Sequence, residues 1–332
     1  MKSFLKKLSF TIIPLWLGTM VLMIFYNGYI RPEMNGDLGI LGKMRLADSI
    51  PSEGLKRQYS ELFDEKDLKD TIVDVITIGD SFSRQGEDGF QNYLAHNGLK
   101  VLNFFPRQNM FQTAYDLMNL GIVDSTHVKT IIVESIERDF INVLSYFDVN
   151  KNNVKIIKNE VRQTPTTEEP WSLTEAKNFL LLRLGLEKPV RDCRLSVNAF
   201  SGEEGDRLFF YQKDFNSFSI EHDNESVVQN KLNILFQKAE KTGIRLIFLL
   251  CPDKYDFYQN YIISNPYKRK TINEDLRILF PHNKNVVIAK EVLIPYLEKG
   301  EKDLFHFCDS HWTYKSAKIV GNYLYSVINA SN

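Results

Sequence analysis

Two short stretches of the chain carry the residue types of a nucleophilic serine site. Residues 79–83 read GDSFS and directly follow an apolar run typical of a buried strand, while residues 309–312 read DSHW. A serine hydroxyl is a poor nucleophile until a base takes its proton, and that base needs a group that holds its tautomer. Ser81, His311 and Asp309 would supply these parts, and the chemistry would be serine acyl transfer if the fold brings them together.

Each motif also has a structural interpretation. The glycine of GDSFS permits a tight turn, and Ser81 would then lie at a helix start, where main-chain N–H groups can stabilise an oxyanion. Asp-Ser is equally a common helix N-cap. In the second motif, Asp309 can contact Nδ1 of His311 and leave Nε2 free to face Ser81, with Trp312 as an apolar wall that limits water. The alternative is a surface helix cap beside a half-buried histidine.

The elements that must position these motifs alternate between apolar strands and helices. This pattern predicts an α/β fold, an open doubly wound parallel sheet covered on both faces. The strands are expected at about residues 72–78, 101–105, 130–135, 245–250 and 285–289, and the helices at about 89–97, 112–120, 225–241, 271–279 and 314–328.

Topology places both motifs at one edge of this sheet. The active site of a doubly wound sheet lies outside the carboxyl ends of its strands. Ser81 follows the first strand, and Asp309 and His311 precede the last helix, after the last strand. We therefore expect them to meet at that edge.

The N-terminus predicts an uncleaved membrane anchor. Three lysines precede an apolar run from about residue 8 to residue 30, and about 20 apolar residues are enough to span a bilayer as a helix. Lysines on the short side predict a cytoplasmic N-terminus and an exported remainder. A cleaved signal peptide is the alternative, although no A-x-A-like site follows the run. The expected organisation is stub and anchor at 1–30, stalk at 31–69 and catalytic domain at 70–332.

One part of that domain does not fit the alternation. Residues from about 140 to 222 predict an insertion with its own small structure, because a structureless loop of that length would be unusual. Such an insertion either carries substrate contacts or serves only as structural packing.

Composition excludes some classes. The formal net charge of −1 gives no case for nucleic acid binding. Three cysteines cannot all pair within one chain, so a disulfide scaffold does not organise the fold. Neither a cofactor nor a metal ion is expected.

Residues 79–83 and 309–312 together resemble the SGNH (GDSL-like) hydrolase superfamily. The Asp-x-His-Trp ending and the N-terminal anchor resemble its polysaccharide O-acetyltransferase branch, which includes the alginate acetyltransferases. The resemblance covers about residues 70–330 without the insertion. It implies that Ser81 is the nucleophile, His311 the base and Asp309 its orienting carboxylate. Lys254, in a Pro-x-Lys element similar to one in those proteins, would contact an anionic sugar or pair with a neighbouring aspartate.

The chain departs from the superfamily at the oxyanion hole. The usual glycine after the second strand has no clear match in residues 103–109, and the Gly-x-Asn-Asp asparagine is missing. Arg138 is a candidate replacement donor, as are Arg107 and Gln108. Alternatively, Arg138 forms a salt bridge with Glu134, its i−4 neighbour if that segment is helical.

The resemblance implies a membrane-anchored O-acetyltransferase. It would move an acetyl group through an acetyl-serine to a hydroxyl of an extracytoplasmic polysaccharide, the acceptor. A separate multi-spanning membrane partner of the MBOAT type would bring the acetyl group across the membrane. Two alternatives remain open, a carbohydrate acetylesterase with the same triad and a membrane-anchored glycan-binding or assembly protein with a degenerate site.

Overall fold

The structure, a computed structural model, describes residues 10, 12–21, 52–62, 72–104, 109–119, 128–151 and 190–330. In these ranges, one six-stranded parallel sheet lies beside a two-stranded antiparallel pair. The strands are β1 (Ser60–Leu62), β2 (Val75–Ile78), β3 (Val101–Phe104), β4 (Thr130–Ile136), β5 (Val190–Arg194), β6 (Arg207–Tyr211), β7 (Arg245–Cys251) and β8 (Val286–Ile288).

Helices connect these strands and cover both faces of the parallel sheet. They are α1 (Phe90–His96), α2 (Met110–Asn119), α3 (Glu137–Ser145), α4 (His222–Lys241), α5 (Lys254–Tyr258), α6 (Ile272–Leu279), α7 (Ala289–Glu298) and α8 (Tyr314–Asn329). In β7, Leu246, Phe248 and Leu250 pack in an apolar cluster with α2, α3, α4 and α6. Ile247 and Leu249 pack in a second cluster with α1, α7 and α8. The predicted α/β class, with a parallel sheet between two layers of helices, is confirmed.

The strand order places a crevice beside β2. The sheet runs β1-β3-β2-β4-β7-β8, so the chain leaves β2 toward β3 on one side and then crosses to β4 on the other. Where the order reverses, neighbouring connections diverge and leave a crevice outside the carboxyl ends of the strands. The residues that follow β2 and β4 border this crevice.

Two predicted boundaries differ from the structure. Residues 52–62 fall in the predicted stalk, but β1 pairs with β3 and Tyr59 is only 5% exposed, so this segment belongs to the domain. The predicted insertion begins too early, because α3 extends to Ser145 and packs Phe140 and Leu144 in the core. The described part of the insertion has its own structure, the hairpin β5–β6. Residues 31–51 and 152–189 lie outside the described ranges.

The predicted anchor lies largely outside the described ranges as well. Residues 12–21 are helical, and large apolar side chains on this helix are exposed, with Leu15 at 74% and Trp16 at 60%. No helix among the described residues is both long and apolar enough to cross a bilayer.

Candidate active site

A tight turn presents Ser81 at the carboxyl end of β2. A 3₁₀ helix, Ser81–Arg84, begins directly after this turn, and Asp80 is its N-cap. One oxygen of Asp80 accepts a hydrogen bond from the Phe82 N–H at 3.1 Å, and the other accepts from the Ile136 N–H at 2.7 Å. The cap therefore also ties the turn to β4. The helix-cap interpretation and the nucleophile interpretation of this motif are therefore compatible, because Asp80 is the cap while Ser81 is exposed.

Close packing against Glu134 explains the glycine before this turn. A Cβ atom at Gly79 would lie 2.2 Å from Glu134 Oε2 and 2.3 Å from Ser83 Oγ. The same Glu134 oxygen accepts hydrogen bonds from the Asp80 N–H at 3.0 Å and the Ser83 hydroxyl at 2.8 Å. Burial, together with the charge of Asp80, raises the pKa of Glu134 well above its usual value. Glu134 thus fixes the turn that carries Ser81, with a carboxyl group whose pKa is raised.

The role of the Glu134 carboxyl group can be tested with an isosteric substitution. Glu134→Gln keeps the hydrogen-bonding shape without a charge, so we expect its free energy of unfolding at neutral pH to stay within about 1 kcal/mol of wild type. Glu134→Ala leaves the buried Ser83 hydroxyl and the half-buried Asp80 N–H without their acceptor and opens a cavity, and should cost about 3 kcal/mol or more. Urea denaturation measures both values. Equal destabilisation by the two substitutions would show that a carboxylate is required.

The second motif lies in a closed loop that ends where α8 begins. Phe305 and Trp312 form an antiparallel bridge across the loop, and the His306 N–H donates to the His311 carbonyl at 3.1 Å. Thr313 caps α8 by accepting a hydrogen bond from the Lys315 N–H. The loop therefore holds His311 just ahead of the helix, at the same sheet edge as Ser81.

Ser81, His311 and Asp309 form a continuous chain of hydrogen bonds. His311 Nε2 lies 2.8 Å from Ser81 Oγ, and His311 Nδ1 lies 2.6 Å from Asp309 Oδ1. The same Asp309 oxygen accepts a hydrogen bond from the His311 main-chain N–H at 2.8 Å. An ionised carboxylate only accepts, so Nδ1 carries the proton and Nε2 accepts from the serine hydroxyl. This is the tautomer that a general base requires.

The acidity of Asp309 agrees with this arrangement. Burial by itself raises the pKa of the Asp309 carboxyl, but the hydrogen bond from the His311 ring and the charge of that ring outweigh burial. The pKa therefore lies below its usual value. Asp309 therefore stays ionised at neutral pH beside the His311 ring.

Trp312 connects the two motifs through hydrogen bonds, a role that differs from the apolar wall beside His311 that was predicted for it. Its side chain is fully buried, and its indole N–H donates to Gln85 Oε1 at 2.5 Å, while Gln85 Nε2 donates to the Trp312 carbonyl at 2.9 Å. This reciprocal pair holds the serine turn against the histidine loop. The apolar ring that lies against His311 is Phe82, with ring centroids 5.1 Å apart.

Of the three candidate oxyanion donors, the described ranges contain Arg138. Arg138 donates to Asp253 at 2.8 Å and to Asp214 at 3.2 Å, and its side chain is only 12% exposed. The alternative prediction, a salt bridge between Arg138 and Glu134, is wrong, because Glu134 is still within β4 and points into the turn that carries Ser81. Arg107 and Gln108 lie outside the described residues.

Lys254 is fully buried, and its ammonium group donates to the main-chain carbonyls of His306, Phe307 and Asp309. A direct contact with a sugar does not agree with this position. The side chain instead reaches the underside of the histidine loop.

Arg138 belongs to a buried ionic network beside the site. Lys270, also fully buried, donates to Asp253 Oδ2 at 2.6 Å and to the Asp214 carbonyl at 2.8 Å. Burial raises the pKa of Asp214 to about 7, with a further contribution from the charge of Asp253, while Arg138 and Lys270 oppose the rise. A proton therefore binds to this network more tightly in the folded protein than in the unfolded chain.

The network predicts a pH-dependent stability. The raised pKa of Asp214 contributes stability that is fully present below its unfolded value of about 3.9, and that is lost as the pH rises through about 7. The free energy of unfolding should therefore fall across this window by more in wild type than in Asp214→Asn, with a difference in slope of at most about 1.4 kcal/mol per pH unit. Urea denaturation as a function of pH measures both slopes. Parallel curves for the two proteins would contradict the assignment.

Sequence reasoning missed several residues that build the site. The sequence could have indicated a role for Glu134, since an acid inside an otherwise apolar central strand needs a specific partner. Gln85 has no such signal, because a glutamine in a turn is ordinary until its partner Trp312 is known. Phe82 was part of the motif, but its contact with His311 depends on the fold.

Comparison of the chain with protein-family models and with curated proteins finds no match in either.

Proposed function

We propose that this protein is a serine-dependent acyltransferase that moves an acetyl group to a hydroxyl of a polysaccharide. The observation that carries the proposal is the hydrogen-bonded chain from Ser81 through His311 to Asp309, with heavy-atom distances of 2.8 and 2.6 Å. Its alignment within hydrogen-bond reach favours an enzyme over a degenerate binding site.

The proposed reaction proceeds in two half-reactions. His311 Nε2 takes the proton of Ser81 Oγ, which attacks the acetyl carbonyl carbon, and the protonated ring then gives its proton to the departing group. This leaves an acetyl ester on Ser81. A sugar hydroxyl next gives its proton to His311 and attacks that ester, and the same proton returns to Ser81 Oγ. Asp309 remains ionised throughout and stabilises the positive charge of the ring.

The tetrahedral intermediates need donors for their oxyanion. We assign the first donor to the main-chain N–H of Ser81, which lies at the start of the 3₁₀ helix beside its own Oγ. The residues that follow β3 in the sequence, the strand beside β2, are the proposed source of a second donor, and this keeps Arg107 and Gln108 as candidates. Arg138 is excluded as an oxyanion donor, because its guanidinium group pairs with Asp214 and Asp253.

The strand order supports an SGNH-like, flavodoxin-type doubly wound fold. Without β1, the order is β3-β2-β4-β7-β8, which corresponds to the order 2-1-3-4-5 of flavodoxin-like sheets. Ser81 lies at the switch point between β2 and β4, where such sheets bind ligands. Together with the GDSFS and DSHW motifs, this order supports the polysaccharide O-acetyltransferase branch as the finer class.

The proposed setting is the outer side of a membrane. The apolar N-terminal stretch and the exposed apolar side chains of residues 12–21 support an anchor, with the acetyl donor supplied by a multi-spanning membrane partner. A reporter enzyme that works only outside the cytoplasm should then be active when it is fused after Asn332, and a reporter that works only in the cytoplasm should be inactive there. Activity of a cytoplasm-only reporter at that position would contradict the topology.

A carbohydrate acetylesterase is the second candidate function. Ser81 is exposed, so water can reach an acetyl ester on this residue as readily as a sugar hydroxyl can. Transfer and hydrolysis share the triad and differ in the acceptor that resolves the acetyl-serine.

An acceptor experiment separates the two functions. The purified protein is incubated with a chromogenic acetyl ester, with and without oligosaccharide acceptors, and both acetylated sugar and free acetate are measured. Transfer predicts acetylated sugar whose formation depends on Ser81. Acetate release that no acceptor changes would identify an esterase, and the absence of any ester turnover would contradict both enzyme functions.

A further inference from the structure

One buried ammonium group holds the loop that carries Asp309 and His311, the carboxylate and the base of the proposed triad, which together form the proposed dyad. Lys254 is the first residue of α5, directly after the carboxyl end of β7, and its side chain is fully buried. Its Nζ donates to the carbonyl oxygens of His306 at 2.5 Å, Phe307 at 2.8 Å and Asp309 at 3.1 Å. These carbonyls belong to a run of only four residues that ends at the dyad carboxylate.

The chemistry of the group matches this arrangement. An ammonium has three N–H donors and no acceptor, and its burial is costly unless each donor finds a partner. The loop supplies one carbonyl for each donor. The ring of Phe200 lies 5.1 Å from Nζ and adds a favourable cation–π contact. A neutral side chain of the same length would leave three inward-facing carbonyls without this donor.

The position of Lys254 is itself fixed by the buried ionic network. The preceding residue, Asp253, is fully buried, and its two carboxylate oxygens accept from Arg138 at 2.8 Å and from Lys270 at 2.6 Å. The start of α5 is therefore tied to the core on one side. Through Lys254, the start of α5 is also connected to the main chain of Asp309.

We propose that Lys254 is a positioning residue for the proposed reaction. Its ammonium group fixes the main chain of residues 306–309, so that the Asp309 carboxylate meets Nδ1 of His311 and the imidazole is aimed at Ser81. Lys254 acts through the dyad and not on the substrate. This inference rests on the proposed function, because it assigns the role within that same site.

The kinetic test compares two buried lysines. Lys254→Met keeps the chain length and removes the donors, so we expect kcat for an activated acetyl ester to fall about 100-fold with KM little changed, because misplacement by about 1 Å is enough for such a loss. Lys290→Met is the matched control, since Lys290 is also buried but pairs with Asp256 at 2.8 Å. Lys290→Met should lower stability and leave kcat within a few-fold of wild type.

A spectroscopic readout separates positioning from general stability. In the wild-type protein, proton NMR should show the hydrogen-bonded Nδ1 proton of His311 downfield of the amide region, and His311→Gln should remove this resonance. Lys254→Met should lose or shift the resonance, whereas Lys290→Met should keep it. If Lys254→Met does not fold, Lys254→Gln, which keeps two N–H donors without the charge, is measured in its place.

The outcomes distinguish the two proposals. A folded Lys254 variant with wild-type kcat and an unchanged resonance would overturn the positioning role. A wild-type protein that shows the resonance but turns over no ester would contradict the proposed function, while the effect of Lys254 on the resonance would still decide its role in the loop. A fall in kcat with the resonance lost only in the Lys254 variant supports both.

Discussion

Ser81→Ala is expected to reduce kcat for an activated acetyl ester by about 10⁴–10⁶-fold, the range typical of a lost triad nucleophile. The substitution removes the only atom that can form the acetyl ester in the proposed mechanism. Because Ser81 is exposed, the free energy of unfolding should change by no more than about 0.5 kcal/mol. A loss of activity without a loss of stability is the signature of a nucleophile.

The matched control is a second exposed serine. Ser326 lies near the end of α8 and donates only locally, to the Tyr323 carbonyl. Ser326→Ala should therefore retain full activity under the same initial-rate assay. If Ser81→Ala kept activity within tenfold of wild type, the nucleophile would have to be another residue.

Asp309→Asn is expected to lower kcat by about 10⁴-fold, because the amide stabilises the wrong histidine tautomer. An asparagine NH₂ group can donate to Nδ1, which would move the ring proton to Nε2. His311 would then present a donor to Ser81 Oγ and could not take its proton. An NH₂ group at the position of Oδ1 also loses the hydrogen bond from the His311 main-chain N–H, while the three hydrogen bonds from Lys254 still hold the loop.

The stability of this variant should depend on pH with a defined sign. The pKa of Asp309 is lowered in the folded protein, so its stabilising contribution is present above the unfolded value of about 3.9 and is lost as the pH falls through the folded value. Wild type and Asp309→Asn should therefore differ most in unfolding free energy at neutral pH and converge in acid. Urea denaturation at several pH values measures this convergence.

An exposed aspartate outside the site is the control for this prediction. Asp192 lies in β5 and pairs with Arg207 while remaining 45% exposed. Asp192→Asn should keep wild-type kcat and show little change in stability. A loss in Asp309→Asn no larger than that in Asp192→Asn would remove Asp309 from the proposed triad.

The sequence predicts best those elements whose structure has one dominant physical cause. Parallel strands buried on both faces must be continuously apolar, so β2, β4 and β7 were predicted to within a few residues. The meeting of Ser81 and His311 could be predicted from topology, because the ends of parallel strands share one edge. What the fold adds is the hydrogen-bond distance between them.

Other elements lack a local signal. The strand β1 has only three residues, Ser60–Leu62, and exists because it extends the edge at β3. The helix α7 contains Pro295, a residue that weakens any helical pattern. Local sequence does not encode either element clearly, and both depend on neighbours distant in the chain.

The contacts that fix the site are the least predictable part. Lys254 and its three carbonyl partners are separated by more than fifty positions, as is Glu134 from the turn at Gly79. Acids and lysines are usually exposed, so their types alone favour surface roles or substrate contacts. Only the packing shows that these two groups hold the main chain beneath the proposed nucleophile and base.

The most direct test is mass spectrometry of the protein after acid quenching during turnover of an activated acetyl ester. The proposed mechanism predicts one added acetyl group on the peptide that contains Ser81 and no added group in Ser81→Ala. When an oligosaccharide acceptor is added, this acetyl group should disappear and acetylated sugar should appear. An acetyl group on a different residue, or acetyl transfer by Ser81→Ala at the wild-type rate, would contradict this mechanism.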